Sequence, residues 1–281
     1  MSQEITRIKR RIKAIKGTYK ITSAMKVVSS VKLKRWKNKM LATREYAHQI
    51  DEITSLVFSN LADKSKKDND FFLKNDSRSN LYIIMSSSLG LCGAYNSNIF
   101  RLADVCLNAE DDVIILGNKG IKYYQNGQFN KIETFKEYSS VNDKNIIDDI
   151  TAYIYSSYKD EKYREIHLIY TAYKNSLVFY SVDYMIFPLK KDEAKKQVYP
   201  PIMEPDPKTL VERLIPMYLK NTIYAKFLES EVCEQAARLN AMENATKNAE
   251  ELLDDLHIKF NKARQNAITQ EITEIVGAVN N

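Results

Sequence analysis

Residues 5–19 read ITRIKRRIKAIKGTY, and the apolar side chains in this stretch recur at alternating intervals of three and four residues. The far end of the chain repeats the pattern at residues 253–267, which read LDDLHIKFNKARQNA. This heptad spacing places an apolar stripe along each helix, and a second helix must cover it. We therefore expect the two ends of the chain to pair as a coiled coil. Its predicted seam is formed by Ile8, Ile12, Ile15, Leu253, Leu256 and Phe260.

Both helices are predicted to be long. No glycine lies between Thr18 and Leu89, and no proline precedes Pro188. We expect one helix over residues 1–61 and another over 216–281, each roughly 90 Å long at about 1.5 Å per residue. Rods of this length are predicted to project from a domain as a stalk. Towards the C terminus the apolar stripe moves over by one position, as a shallow supercoil requires, to Ile268, Ile272, Ile275 and Val279.

The middle of the chain has strand periodicity instead. Short apolar runs at Leu81–Met85, Val113–Leu116 and Ile166–Tyr170 predict buried strands, and the alternating stretch Leu177–Phe187 predicts a last, antiparallel strand. Helical patterns separate these strands, which indicates a mainly parallel α/β sheet with right-handed crossovers. We place this domain at residues 81–190. A polar linker at 62–80 and a proline-rich connection at 191–215 join it to the two helices.

The charge of the chain is unevenly distributed. The net charge is +6, but residues 1–40 carry 13 Lys/Arg and one acidic residue, so this segment has a balance of +12. A solvated helix face, nucleic acid, anionic lipid or an acidic protein surface would each suit such a segment. A leucine-zipper DNA reader is disfavoured because its basic arm lacks the heptad seam, whereas here the two coincide. We expect no nucleic-acid partner.

The residues that usually carry chemistry are scattered. Cys92, Cys106 and Cys233 are odd in number and far apart, which predicts neither a disulfide framework nor a zinc site and suits a reducing compartment. We expect neither a signal peptide nor a membrane span. The loop SSSLGLCGAYN at residues 86–96 has two glycines but lacks the spacing of phosphate-binding loops. We therefore predict no catalytic residues, no metal and no cofactor bound by this chain.

Several motifs together resemble one family. The runs CEQAARLNAMENATKNAEELL (233–253) and NKARQNAITQEITEIVGA (261–278) resemble the signature of the gamma subunit of F-type ATP synthases. KITSAMKVV (20–28) is similar to the other characteristic helix of that family. GLCGAYN (90–96) and MEPDP (203–207) occur in the same order as in the family. One departure is that Ser88 and Leu89 stand where the family usually has an Asp-Arg pair.

The resemblance implies an antiparallel, left-handed coiled coil of the N- and C-terminal helices, with a central Rossmann-like α/β domain. It implies a rotating shaft inside a ring of three alpha and three beta subunits. These subunits would bind ATP or ADP with Mg and perform the chemistry. Further expected partners are a small epsilon-type subunit and a c-type membrane ring that translocates protons or sodium. The expected location is peripheral, at the cytoplasmic face of the cell membrane.

The resemblance also implies contact residues on the shaft. Met25 and Lys26 would contact the catalytic ring at the turn where the apolar register fails, because Lys26 and Ser29 occupy expected apolar positions. Arg264 and Gln265 would touch a beta-subunit loop, and the apolar end at Ile268, Ile272 and Ile275 would turn in an apolar bearing. The alternative function is the shaft of an F-type-like ATPase that drives other mechanical work without an ion-translocating ring. A basic coiled-coil scaffold is a further alternative.

Overall fold

The computed structural model describes residues 3–61, 70–132, 144–189 and 201–279 of the 281-residue chain. Two compact units emerge. One combines the two ends of the chain, Met1–Val31 and Arg238–Asn281, and the other contains Lys32–Ala237. Two long helices contribute to both units: α1 spans Gln3–Asn60 and the C-terminal helix spans Pro207–Val279. No helix within the described ranges has an apolar stretch long enough to cross a membrane.

The Lys32–Ala237 unit is built on a five-stranded sheet. In chain order its strands and helices are β1 (Leu81–Met85), α2 (Tyr95–Cys106), β2 (Asp112–Leu116), α3 (Asn118–Tyr123), β3 (Asn130–Lys131), α4 (Lys144–Lys159), β4 (Ile166–Tyr173) and β5 (Phe179–Phe187), and the C-terminal helix is α5. The strand order is β3-β2-β1-β4-β5. Every pairing is parallel except that of β4 with β5. The predicted mixed α/β sheet with an antiparallel last strand is confirmed.

Helices cover both faces of this sheet. Every residue of β1 and β2 is buried, as expected for parallel strands with an apolar layer on each side. Leu81, Ile83 and Met85 face a core that includes α4 and parts of α1 and α5, whereas Tyr82 and Ile84 face the core formed with α2. The two-residue strand β3 was not predicted, because a polar Asn-Lys pair carries no strand periodicity.

The structure corrects the predicted boundary of α5. The helix begins at Pro207, within the predicted proline-rich connection 191–215, and Pro216 lies in its interior. The Asp206 carboxylate accepts hydrogen bonds from the Thr209 amide at 3.0 Å and the Thr209 hydroxyl at 2.7 Å. An Asp cap followed by proline at the first helical position is a strong helix start. Residues 191–200 of the predicted connection lie outside the described residues.

Two further segments differ from the predicted domain plan. Residues 62–69 of the predicted linker 62–80 lie outside the described ranges, but Phe71 is buried and stacks on the ring of Tyr155 at 5.1 Å. From Lys32 onward, α1 belongs to the unit that contains the sheet, where the rings of Trp36 and Phe227 meet at 6.1 Å. Large aromatic side chains explain both differences, because each must be covered by a core.

Candidate functional site

The unit formed by the two chain ends is an antiparallel helix pair. Cross-helix contacts join Lys26 Nζ to Glu243 Oε1 at 3.2 Å, Thr22 Oγ1 to Thr246 Oγ1 at 3.0 Å, and Lys9 Nζ to the centre of the Phe260 ring at 5.6 Å. Residue numbers fall along α1 as they rise along α5, so the helices run in opposite directions. In each pair the two numbers add to 268 or 269, which fixes the register.

Buried side chains line the seam between these helices. On α1, Ile5 is buried, and the predicted seam residues Ile8, Ile12 and Ile15 are half-buried. On α5, Leu256 is buried with an exposed fraction of 7%, and Leu253 and Phe260 are half-buried. Burial recurs at intervals of three and four along both helices, as heptad packing requires. All six predicted seam residues are therefore buried or half-buried in this helix pair.

The middle of the seam is polar, and here the structure corrects the sequence analysis. Instead of failing at Met25 and Lys26, the register continues through Thr22 and Ser29, whose exposed fractions are 8% and 1%. Met25 is half-buried, and Lys26 pairs with Glu243 through side chains that are 41% and 58% exposed. Such an exposed pair contributes only about 0–1 kcal/mol. The sequence analysis placed a break in the seam at this turn because it expected seam positions to be apolar.

The end of α5 extends beyond its partner. By the register above, Gln3 lies level with residues 265–266, and no described residue of α1 lies opposite α5 beyond that point. The predicted bearing residues Ile268, Ile272 and Ile275 are 48%, 56% and 64% exposed. Since α5 is helical to Val279, about 20 Å of helix continues without α1 beside it.

The predicted contact residues lie in two separate places. Arg264 and Gln265 are exposed on the last paired turn, next to the unpaired end of α5. Met25 and Lys26 lie near Glu243, about 30 Å away along the helix at 1.5 Å per residue. No single partner loop can touch both places at once. The predicted contact residues therefore form two separate regions of the helix pair, one beside the polar seam and one at the apolar end.

The surface of α1 in this unit is strongly basic but also carries an apolar patch. Seven cationic side chains between residues 7 and 20 are all exposed, namely Arg7, Lys9, Arg10, Arg11, Lys13, Lys16 and Lys20. Farther along, Ile21, Val28 and Val31 are 61%, 53% and 66% exposed. The sequence analysis missed this patch. Together with Ala24, these residues recur at intervals of three and four and form a second apolar stripe on α1, outside the seam.

The central loop in the Lys32–Ala237 unit is closed by its own hydrogen bonds. The Ser87 hydroxyl donates to the Leu89 carbonyl at 2.7 Å. The Asn96 side chain accepts from the Ser87 amide at 3.0 Å and donates to the Ser87 hydroxyl at 2.7 Å. Leu91 has a φ of 62°, in the left-handed region that bulky residues rarely adopt. The loop is thus held as a tight turn.

The same loop region holds α5. The Tyr95 hydroxyl lies 2.7 Å from the Ser230 hydroxyl, and burial raises the pKa of Tyr95, so its phenol stays protonated. Cys92, Cys233 and Ala237 are buried in one apolar cluster with Tyr95. The motif GLCGAYN therefore acts through packing against α5, a role that a search for phosphate-binding glycines does not detect.

Comparison with known proteins gives a consistent result. A family profile described as ATP synthase matches residues 4–281. The ATP synthase gamma chain of Mycoplasma mobile is 38% identical over 283 residues, which cover 97% of each chain. The ATP synthase gamma chain of Mycoplasma genitalium is 35% identical over 98% of this chain and 99% of its own. That of Clostridium kluyveri is 33% identical over 96% and 95%.

Solved structures of mitochondrial ATP synthases contain chains with the same fold. The rotor of the Euglena gracilis mitochondrial ATP synthase superposes with a TM-score of 0.66 at 18% identity and covers 94% of this chain and 99% of that chain. The central stalk and c-ring structure of the Tetrahymena thermophila mitochondrial ATP synthase gives a TM-score of 0.55 at 20% identity, covering 80% and 99%. At these identities the similarity establishes the fold.

Proposed function

Because this chain belongs to the ATP synthase gamma chain family, we propose that it couples ATP turnover in a catalytic ring to rotation of an ion-translocating membrane ring. As a gamma chain it is the central rotor stalk. The proposed catalytic ring consists of three alpha and three beta subunits, and the proposed membrane partner is a c-type ring. An epsilon-type small subunit completes the proposed rotor, which is peripheral at the cytoplasmic face of the cell membrane.

One observation carries this proposal: α5 continues past α1 as a single helix with exposed isoleucines. Ile272 and Ile275 are 56% and 64% exposed, whereas Leu256 in the paired region is 7% exposed. A helical end of this kind needs an apolar sleeve around it, since exposed apolar surface costs about 25 cal/mol per Å². A ring of subunits around the tip would supply the sleeve at every rotor angle, because apolar contact has little directional preference.

The charge of α1 supports contact with an acidic collar on the ring. Seven exposed cations between residues 7 and 20 give the shaft positive charge over several turns. Each exposed ion pair contributes about 0–1 kcal/mol, so pairs can be exchanged one at a time as the shaft turns. Arg264 differs, because a guanidinium can bind a carboxylate through two parallel hydrogen bonds at one rotor angle.

In this proposal the chemistry belongs to the partner subunits. The closed central loop packs against α5 and is already hydrogen-bonded within itself. We therefore assign no catalytic residue to this chain, and ATP or ADP with Mg is assigned to the ring. The chain contributes by forcing the three catalytic sites into different states in turn.

The alternative is a shaft that drives other mechanical work without an ion-translocating ring. Both functions require the same contacts with a catalytic head, so the paired helices fit either. The full-length similarity to proteins named ATP synthase gamma chain favours the ion-coupled function. The departure at Ser88 and Leu89 falls in the central loop, which belongs to the Lys32–Ala237 unit.

The deciding experiment is purification of the chain through an affinity tag from membranes in mild detergent, followed by identification of every subunit. The expected set contains both catalytic-ring subunits and the c-type subunit, and ATP should drive rotation of a bead on the tagged chain. Recovery of the catalytic subunits with rotation but without a c-type subunit would establish the alternative. Recovery of neither ring would refute the rotor function.

A further inference from the structure

A groove in the Lys32–Ala237 unit has no role in the proposed rotor contacts. Its cavity volume is about 400 Å³, and it lies between α1, α5 and the turn that joins β4 to β5. The charged side chains that line it are Lys37, Arg44, Lys174, Lys226 and Glu229. We refer to this site as the basic groove. Its four cations outnumber its single carboxylate by three.

Within the described ranges, one of the four cations is paired. Lys226 Nζ lies 3.5 Å from the Glu229 carboxylate, between the rings of Tyr170 and Tyr184 at 5.2 and 5.4 Å from their centres. Among the described residues, Lys37, Arg44 and Lys174 form no ion pair. Glu229 is therefore already paired with Lys226, and the other three cations around the cavity have no carboxylate partner in the described part of the chain. A groove with this balance attracts negative charge.

The groove is elongated and partly apolar. Along α1, its lining runs from Lys37 to Ala47, which is about 15 Å at 1.5 Å per residue. Between the cations the lining includes Met40, Leu41 and Leu228. A small anion would reach only one or two of the cations and would leave this apolar surface uncovered. An extended chain at about 3.3 Å per residue fills the length with four or five residues.

We propose that the basic groove binds a short, extended acidic segment of a partner protein. Carboxylates of the segment pair with Lys37, Arg44 and Lys174, and an aliphatic side chain between them covers Met40 and Leu41. A protein segment fits better than single-stranded nucleic acid. Nucleic-acid grooves offer aromatic platforms for successive bases, whereas Tyr173 is the only aromatic side chain among the lining residues described for this groove.

The test uses the full chain and a fluorescent hexapeptide in which glutamates alternate with leucines. Its counterpart with glutamines replacing the glutamates measures the part of binding that does not depend on charge. Fluorescence anisotropy at low salt should detect saturable binding of the acidic peptide and at least tenfold weaker binding of the glutamine peptide. Raising the salt should weaken acidic-peptide binding, because screening shortens the reach of exposed charges.

Variants locate the binding site. Arg44→Glu should weaken acidic-peptide binding at least tenfold, and Leu41→Gln should weaken it about threefold. The matched control is Arg213→Glu, an exposed arginine on α5 that does not line the groove, and it should change binding less than twofold. Circular dichroism checks that each variant is folded, and Arg44→Gln should weaken binding about threefold if Arg44→Glu does not fold.

Four outcomes would overturn the proposal. Equal binding of the two peptides would show that carboxylates are not recognised. Equal losses in Arg44→Glu and Arg213→Glu would show that only overall charge matters. Displacement of the peptide by an equimolar oligonucleotide would reassign the groove to nucleic acid, and displacement by micromolar inorganic phosphate would reassign it to small anions. None of these results bears on the rotor function, which is decided by the recovered subunits.

Discussion

Replacing Leu256 with alanine tests the seam of the helix pair directly. Leu256 is 7% exposed on the paired part of α5, so truncation removes buried apolar surface and leaves a cavity. The expected loss of stability is about 2–4 kcal/mol for a leucine in such a position. Leu252, one turn earlier on the same helix, is 44% exposed and provides a matched control. Leu252→Ala should cost less than about 1 kcal/mol, because water fills the space that the side chain leaves.

Hydrogen exchange measured by mass spectrometry is the suitable assay for this comparison. The chain has two compact units, so a single unfolding transition does not report on the helix pair alone. Exchange in a peptide covering residues 245–260 reports local opening of that pair. Since about 1.4 kcal/mol corresponds to a factor of ten, Leu256→Ala should speed exchange about 30- to 1000-fold. Leu252→Ala should speed it by less than about fivefold.

The outcome that contradicts this reasoning is equally specific. If the two alanine variants speed exchange equally, or if Leu252→Ala has the larger effect, the seam has been assigned to the wrong face of α5. A third variant, Ile275→Ala, changes a residue that is 64% exposed beyond the paired region. It should leave exchange in residues 245–260 unchanged, because no described residue of α1 lies opposite it.

Further predictions concern nucleotide binding, the shaft contacts and pH. Equilibrium dialysis of the isolated chain with labelled ATP should detect no stoichiometric micromolar site. In the assembled complex, Arg264→Lys should slow ATP turnover without impairing assembly, because lysine lacks the planar guanidinium that binds a carboxylate through two hydrogen bonds. Lys16→Ala should change ATP turnover little. The reverse pattern would contradict the assigned contacts. Burial alone would lower the pKa of His167, but its hydrogen bond and charge interaction with Asp183, and the negative charge of Glu165, raise it. The stabilisation that protonated His167 gains from these carboxylates is therefore fully present below its unfolded pKa, and it is lost as pH rises through its folded pKa. In urea denaturation, Asp183→Asn should destabilise the chain more at pH 5.5 than at pH 9. An equal loss of stability at the two pH values would contradict this assignment.

The sequence predicts those parts of the fold that depend on repeated patterns. Heptad spacing from Ile5 onward marks α1, and continuous apolar runs such as Leu81–Met85 mark buried strands. Features set by a single local interaction were missed. The start of α5 depends on one carboxylate, that of Asp206. The helix continues through Pro216 because its neighbours Ile215 and Leu219 are buried in the core. Tertiary burial outweighs the local preference of one proline.

The contact residues were less predictable for a different reason. A seam residue is identified by its own spacing, but a contact with a partner depends on a surface that the chain does not contain. Contacts between distant parts of the chain are also hard to predict: spacing marks Lys26 as an irregularity, and only the structure places it beside Glu243, which is 217 positions away in the chain. The basic groove likewise combines α1, α5 and the β4–β5 turn, which no local pattern brings together.

The polar middle of the seam is best understood through the mechanical role of a shaft. An all-apolar seam would tolerate sliding by one heptad, because one aliphatic side chain replaces another at little cost. The Thr22 and Thr246 hydroxyls, 3.0 Å apart, favour one register, since sliding would place a buried hydroxyl against apolar side chains. The Lys26–Glu243 pair favours the same register at the surface. We infer that this polar turn fixes the helices axially, so that torque applied to α5 is carried by α1 as well.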